Sequence, residues 1–182
     1  MRTVALRRLD IVNLVITADL KQSVDLNAVS RLQYTIFDPK IYGGRLAYIK
    51  TPGMNGKVSI FNSGKLISVG CKSTKQAIDD LQKVVEILSE NKIIQPIQLK
   101  TRLRNIVALL HEPYKIDLET LSNKESVMYE PEQFPGAILK IENPKATFLI
   151  FASGKVIISG AKSFNDLKRA NKKIHEITSK YA

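Results

Sequence analysis

Cysteine is nearly absent: Cys71 stands alone among 182 residues. That excludes an intramolecular disulfide framework and points to a reducing compartment. Histidine is almost as scarce, and neither His111 nor His175 has a second ligand at metal-binding spacing, while Cys71 has no C-x-x-C partner. No metal and no cofactor is therefore expected. No apolar run approaches the roughly eighteen residues needed to span a bilayer, so an integral membrane protein is not expected. The N-terminal stretch MRTVALRRLDIVNLVI has basic residues ahead of apolar ones, but Asp10 and Asn13 interrupt it and no small-residue cleavage site follows. A cleaved leader is not expected. Catalytic patterns are missing too. The fragments SGK and GCKS lack the spacing of a phosphate-binding loop, and no Ser/His/Asp or paired-carboxylate arrangement stands out. The reading is a non-enzyme with no catalytic residue.

What is abundant is positive charge. The net charge is +11 and the pI about 9.7, on a chain that is 44% hydrophobic and so able to bury an ordinary core. Excess Lys and Arg suits an anionic partner, either nucleic acid or a membrane surface. Residues 1–91 carry a net +5 and residues 92–182 a net +6, so the charge belongs to both halves and not to a basic tail.

The halves also repeat one another. Ile11-Val12-Asn13-Leu14-Val15 matches Leu103-Arg104-Asn105-Ile106-Val107, and Asp38-Pro39 matches Glu130-Pro131. Ile60 to Lys65 (IFNSGK) matches Ile150 to Lys155 (IFASGK), and Gly70-Cys71-Lys72-Ser73 matches Gly160-Ala161-Lys162-Ser163. The offset is 92 early and 90 late, which predicts a two-residue insertion in the first copy, placed here in the loop Pro52–Gly56. A duplication this regular makes each copy one structural unit. The boundaries expected are 1–95 and 96–182, with 91–101 as the linker.

Each copy reads as an alternating strand (11–20; 102–110), a short helix capped by Asp25 or Asp117, turn-flanked strands, and a long closing helix. Hairpin signals fall at Asn62-Ser63-Gly64 and Ala152-Ser153-Gly154. The first closing helix opens with a capping box, Ser73 and Gln76, and its apolar positions are Ala77, Ile78, Leu81, Val84, Val85 and Leu88. In the second copy they are Phe164, Leu167, Ala170, Ile174, Ile177 and Tyr181. Two antiparallel half-sheets backed by helices follow, an α+β architecture.

Strand residues alternate between faces. Val12, Leu14, Ile16 and Ala18 suit the core, which leaves Asn13, Val15 and Thr17 on the open face. The repeat puts Asn105, Val107 and Leu109 there. Lys65, Ile67 and Val69 share that face with Phe61 and Ser59, as Lys155, Ile157 and Ser159 do with Phe151 and Leu149. The result is an apolar surface with one Asn per half and Lys at the margins, and soluble proteins rarely leave such a patch without a partner. It suits the minor groove of A·T-rich DNA, where adenine N3 and thymine O2 accept hydrogen bonds and no guanine amino group intrudes. Asn can donate to those acceptors, Phe can wedge between base steps, and Lys can hold phosphates.

Those residues carry a likeness to a known family. The stretch Tyr129, Pro131, Glu132, Phe134, Pro135, Gly136, then Leu149 through Lys155, then Gly160 through Ser163, resembles the TATA-box-binding protein core domain. The likeness runs over nearly the whole chain. It implies a saddle-shaped antiparallel sheet built from two pseudo-symmetric repeats, with helices on the convex face. Kinking by wedge side chains is exemplified by this same family, so the likeness and the wedge reading are not independent. The resemblance implies wedges at Phe134 and Phe151 in the second repeat and at Tyr42 and Phe61 in the first. Asn13 and Asn105 would meet the central base pairs. Val15, Val107, Ile67, Ile157 and Leu149 would line the groove floor, with Val69 and Ser159 at the position before glycine. Lys65, Lys140 and Lys155 would hold phosphates, and Glu130 and Glu132 would contact transcription factor IIB.

The function implied is that of a general transcription initiation factor that bends TATA-like promoter DNA and recruits transcription factor IIB and RNA polymerase. It would work in the nucleus of a eukaryote or the cytoplasm and nucleoid of an archaeon. A homodimer in the absence of DNA is a further partner reading. Departures gather in the first repeat: Tyr42 for Phe, Ser59 for Leu, Val69 for Thr, Tyr48 for a basic residue, and Gly43-Gly44 in the turn. The alternative they leave is a related factor acting mainly as a protein-interaction module.

Overall fold

The strands form where the alternation predicted them, five from each half, in a ten-stranded antiparallel sheet. The computed structural model describes residues 7–182; the leader reading falls partly on residues 1–6, which lie outside the described residues. In the first half the strands are β1 (Arg8–Asp19), β2 (Thr35–Phe37), β3 (Leu46–Ile49), β4 (Lys57–Phe61) and β5 (Lys65–Cys71), in the order β2-β3-β4-β5-β1. In the second half β6 (Thr101–His111), β7 (Val127–Met128), β8 (Gly136–Glu142), β9 (Lys145–Phe151) and β10 (Lys155–Ala161) run in the order β6-β10-β9-β8-β7.

The helices start where the caps predicted them. Asp25 accepts from the Asn27 N–H at the start of α1 (Leu26–Val29), which is a single turn. Asp117 caps α3 (Leu118–Lys124), accepting from the Thr120 N–H. The capping box of Ser73 and Gln76 is formed at the head of α2 (Thr74–Glu90), and Ser163 accepts from Asp166 N–H at the head of α4 (Phe164–Thr178). α1 and α2 pack Leu26, Val29, Ala77, Leu81, Val84 and Leu88 onto Ile16, Ala18, Ala47, Ile49, Val58, Ile60 and Leu66, all buried. α4 lays Leu167, Ala170, Ile174 and Ile177 over β9 and β10, where Phe148, Ile150, Val156 and Ile158 are buried.

Several expectations need correcting. Val12 is 38% exposed and not in the core. It precedes Leu14, the first residue of β1 paired with β5, and its repeat equivalent Arg104 is exposed as well. Phe164 is 48% exposed because it is the first helical residue of α4, ahead of the buried arc that starts at Leu167. Tyr181 lies in a 3-10 turn after α4. Segment 91–101 is no free linker: Ile94 is buried in the first-half core, and Ile93, Ile97 and Leu99 pack against it. The chain divides into two compact units, Asn13–Arg104 and, apart from it, residues 105–182 with β1 up to Val12.

The two-residue insertion is also displaced. Leu46 pairs with Phe61 where Gly136 pairs with Phe151, an offset of 90 already in β3. Ile36 pairs with Tyr48 where Met128 pairs with Ile138, so β2 still runs at 92. The extra residues therefore sit between β2 and β3, in the turn that holds Ile41-Tyr42-Gly43-Gly44, and the loop after β3 needs none. Tyr48 then corresponds to Ile138, and Lys50 to Lys140: the first half keeps its basic residue.

Candidate nucleic-acid interface

The two Asn residues are built into bulges. In β5 the partner of Leu14 is Cys71 but that of Ile16 is Ser68, one residue too many for a regular ladder. β10 repeats this between Ile158 and Ala161. At each bulge a glycine takes a positive φ, +95° at Gly70 and +94° at Gly160, a conformation that costs other residues strain. The bulge takes that glycine's N–H off the ladder, and the Asn side chain captures it. Gly70 N donates to Asn13 Oδ1 at 2.7 Å, and Gly160 N donates to Asn105 Oδ1 at 2.8 Å. A backbone N–H only donates, so each amide must turn its oxygen inward and its NH2 outward. Among the described residues no acceptor engages either Nδ2.

Around each Asn the open face is only half-buried. Direct cross-strand partners place Leu109, Ile157, Leu149, Ile138 and Met128 in one row across the second half. The matching row of the first half is Thr17, Ile67, Ser59, Tyr48 and Ile36. One row is wholly apolar; the other carries three hydroxyls. Val15, Val69, Val107 and Ser159 are half-buried beside them.

The ends of the rows differ more. Phe134 and Phe151 meet edge to face with ring centroids 5.8 Å apart. Gly136 makes this possible, since a Cβ there would lie 2.8 Å from Phe134 Cε1 and 3.1 Å from Phe151 Cε1. In the first half Leu46 fills the place of Gly136, opposite Phe61. Tyr42 is 68% exposed, takes a left-handed φ of +51°, and makes no ring contact with Phe61. The second half holds an aromatic pair, the first a single phenylalanine.

Cations border both rows. Lys65, Lys140 and Lys155 are exposed. Sequence reasoning passed over four others. Lys57 stands with its Nζ 4.1 Å over the Tyr48 ring. Lys100, Arg102 and Arg104 line a hollow of about 280 Å³ with Thr17, Phe61, Lys65 and Ile67. Arg104 donates from Nε to Thr17 Oγ1 at 2.9 Å. The signal was present as Lys-x-Arg-x-Arg before Asn105, which the first copy lacks before Asn13. Glu130 and Glu132 are exposed in the turn between β7 and β8, where the Glu130 carbonyl accepts from Gln133 and Phe134 N–H.

Other polar groups hold the scaffold. Asp80, on the buried arc of α2, accepts from Asn55 N–H at 3.1 Å, Gly56 N–H at 2.6 Å and the Cys71 thiol at 3.2 Å. Burial, reinforced by Asp80, pushes the Cys71 thiol up to about 11. In the second half, buried Glu112 accepts from Arg7 Nε at 3.1 Å and lies 3.2 Å from His175 Nδ1. That explains His175 as a packing partner. No helix is long and apolar enough to cross a membrane among the described residues.

This two-repeat α+β sheet with mirrored Asn-capped bulges is a fold already solved elsewhere. A structure titled Methanococcus jannaschii TBP superposes with a TM-score of 0.86 at 31% identity, covering 95% of this chain and 99% of that one. The model of the family described as transcription factor TFIID (or TATA-binding protein, TBP) matches residues 8–91 and again 100–181. The TATA-box-binding protein of Cenarchaeum symbiosum (strain A) is 38% identical over 162 residues, 88% of each chain. That of Pyrodictium occultum is 37% identical over 169 residues, 92% of this chain and 84% of its own. The chain belongs to the TATA-box-binding protein family, whose members are general transcription initiation factors.

Proposed function

We propose that this chain docks its open sheet faces on the minor groove of a TATA-like, A·T-rich promoter element, bends it, and recruits transcription factor IIB and RNA polymerase. The observation that carries this is the pair of amides at Asn13 and Asn105. Each has its oxygen tied to a glycine N–H, at 2.7 and 2.8 Å, and only its NH2 to offer. A surface that can donate at its centre and is apolar around it fits adenine N3 and thymine O2, and it rejects the guanine amino group that also donates. Val15, Val107, Ile67, Ile157 and Leu149 would form the groove floor, with Val69 and Ser159 beside them at the position before glycine. Phe134 and Phe151 would be the wedges, Phe61 and Tyr42 would face the duplex at the corresponding first-half positions, and Lys65, Lys140 and Lys155 would be the phosphate contacts. Glu130 and Glu132, exposed on a hydrogen-bonded turn, would meet transcription factor IIB. The pseudo-symmetric halves are 1–95 and 96–182, and a homodimer would cover the same faces when DNA is absent. The archaeal relatives favour a site of action in the cytoplasm, at the nucleoid.

The test is a binding and bending assay at fixed salt on a TATA duplex, beside one with G·C substituted at the centre. Selective, bend-inducing binding is expected, and Glu132→Arg should impair recruitment of factor IIB while sparing DNA binding. Equal affinity for both duplexes would refute the reading.

A further inference from the structure

The first half lacks the machinery that the second half uses to hold two aromatic rings together. Gly136 leaves room for Phe134 against Phe151, at 5.8 Å. At the same register position the first half has Leu46, and Phe61 has no ring beside it. Tyr42 stands out in solvent on a turn two residues longer, and its hydroxyl would be costly to bury between bases.

The compact unit Asn13–Arg104, which joins residues 92–104 to that half's strands, has something the other unit lacks among the described residues. Lys65, Lys100, Arg102 and Arg104 line one hollow with Phe61 and Thr17. Asp19 also lines it, but its carboxylate is engaged by Lys21 at 3.1 Å, whose N–H and side chain hold its pKa below the ordinary value. Through the repeat, Lys100, Arg102 and Arg104 correspond to Arg8, Asp10 and Val12. Arg8, in the other unit, is already paired with Asp10 at 2.7 Å. Arg104 is pre-positioned by its bond to Thr17, which leaves the outer guanidinium nitrogens to a ligand. A guanidinium in a partly enclosed hollow binds phosphate oxygens, or the negative potential of a narrow minor groove, without any base being unstacked.

We propose that the unit Asn13–Arg104 grips the duplex through this four-cation hollow rather than by prising a base step apart. The sharp kink is then made by the second half alone. The proposal rests on the minor-groove reading above and specifies how the two ends of that site divide the work.

The experiment uses the whole chain and a TATA duplex labelled with donor and acceptor dyes at its ends. The energy-transfer change reports bending, anisotropy reports affinity, and salt is varied. Phe134→Ala with Phe151→Ala should lose most of the energy-transfer change. Phe61→Ala should keep about four-fifths of it. Phe61→Tyr, which preserves strand packing but disfavours ring burial, repeats that arm should the alanine variant lose its native circular dichroism. Arg104→Gln should keep the bend, weaken binding several-fold at about 0.15 M salt, and flatten the slope of log K against log[salt] by about 0.9, one phosphate contact. Equal loss of bending on removing Phe61 and on removing the second-half pair would overturn the proposal, as would an unchanged salt slope for Arg104→Gln. A wild-type chain that fails to select the TATA duplex would instead overturn the minor-groove reading.

Discussion

The bulge geometry separates the two ends of one side chain, and Asn105→Asp tests that separation. The substitution keeps an oxygen in place to accept from Gly160 N–H, now as a carboxylate, and removes only the NH2. A charged acceptor on a backbone N–H is at least as good as a neutral one, so stability should change by less than about 0.5 kcal/mol. Asn105→Ala removes both ends. It takes the oxygen from a half-buried N–H that has no ladder partner, which costs about 1 kcal/mol in folding. DNA binding should follow the opposite logic. Both variants lose the donor to the groove floor, about 1–3 kcal/mol or roughly 5- to 150-fold in affinity. Asp adds a negative charge and should be the worse binder of the two. Urea denaturation and fluorescence anisotropy at one salt concentration read the two quantities separately. If Asn105→Asp destabilises the fold as much as alanine does, or binds the TATA duplex like wild type, the division between oxygen and nitrogen is wrong.

Two further outcomes rest on the first-half scaffold. Asp80→Ala should destabilise the chain by about 1–3 kcal/mol, measured by urea denaturation, because it orphans the N–H groups of Asn55 and Gly56 beneath the loop after β3. An effect under about 0.5 kcal/mol would mean that water replaces the carboxylate. Cys71 gives a pH dependence whose sign is fixed. Its folded thiol is raised from 9.0 to about 11, so the neutral form is favoured on folding. That contribution is complete below pH 9 and lost as pH rises toward 11. The gap in Tm between wild type and Cys71→Ala should therefore shift against wild type across that window, and a constant gap would refute it.

Local chemistry made most of the fold legible. The S-x-x-Q box, the Asp caps and the two Ser-Gly-Lys hairpins act over a few residues, and each formed where its residues stand. Register was not legible, for a physical reason. A strand has a side-chain period of two, so moving a two-residue insertion from one side of β3 to the other leaves every residue on the same face. Only the pairing of Leu46 with Phe61 shows that the extra residues lie before β3. The misplacement hid the contrast between Leu46 and Gly136 and made Tyr48 look like a lost lysine. Asp80 escaped notice because a carboxylate on an apolar helix arc reads as an interruption until its three donors are seen. Asn13 and Asn105, like Gly70 and Gly160, stood out as matched positions of the two copies, but nothing in the sequence joined Asn to Gly through a bulge and a hydrogen bond.

The two halves therefore began from one pattern and diverged in opposite directions at equivalent positions. Where the first half has Cys71 and Asp80 under a loop, the second has Ala161 and Ala170, both buried and both apolar. Where the second half opens a space with Gly136 and fills it with two rings, the first closes it with Leu46. The Asn-capped bulge is the feature neither half has given up, at 2.7 Å in one and 2.8 Å in the other. A purely structural bulge could be satisfied by any acceptor, including a carboxylate or a serine hydroxyl. Retaining an amide in both copies, while the surroundings of each have changed, argues that the outward NH2 is the part the protein uses. On the proposed reading the shared centre meets A·T pairs, and the divergent ends decide where the duplex is gripped and where it is broken open.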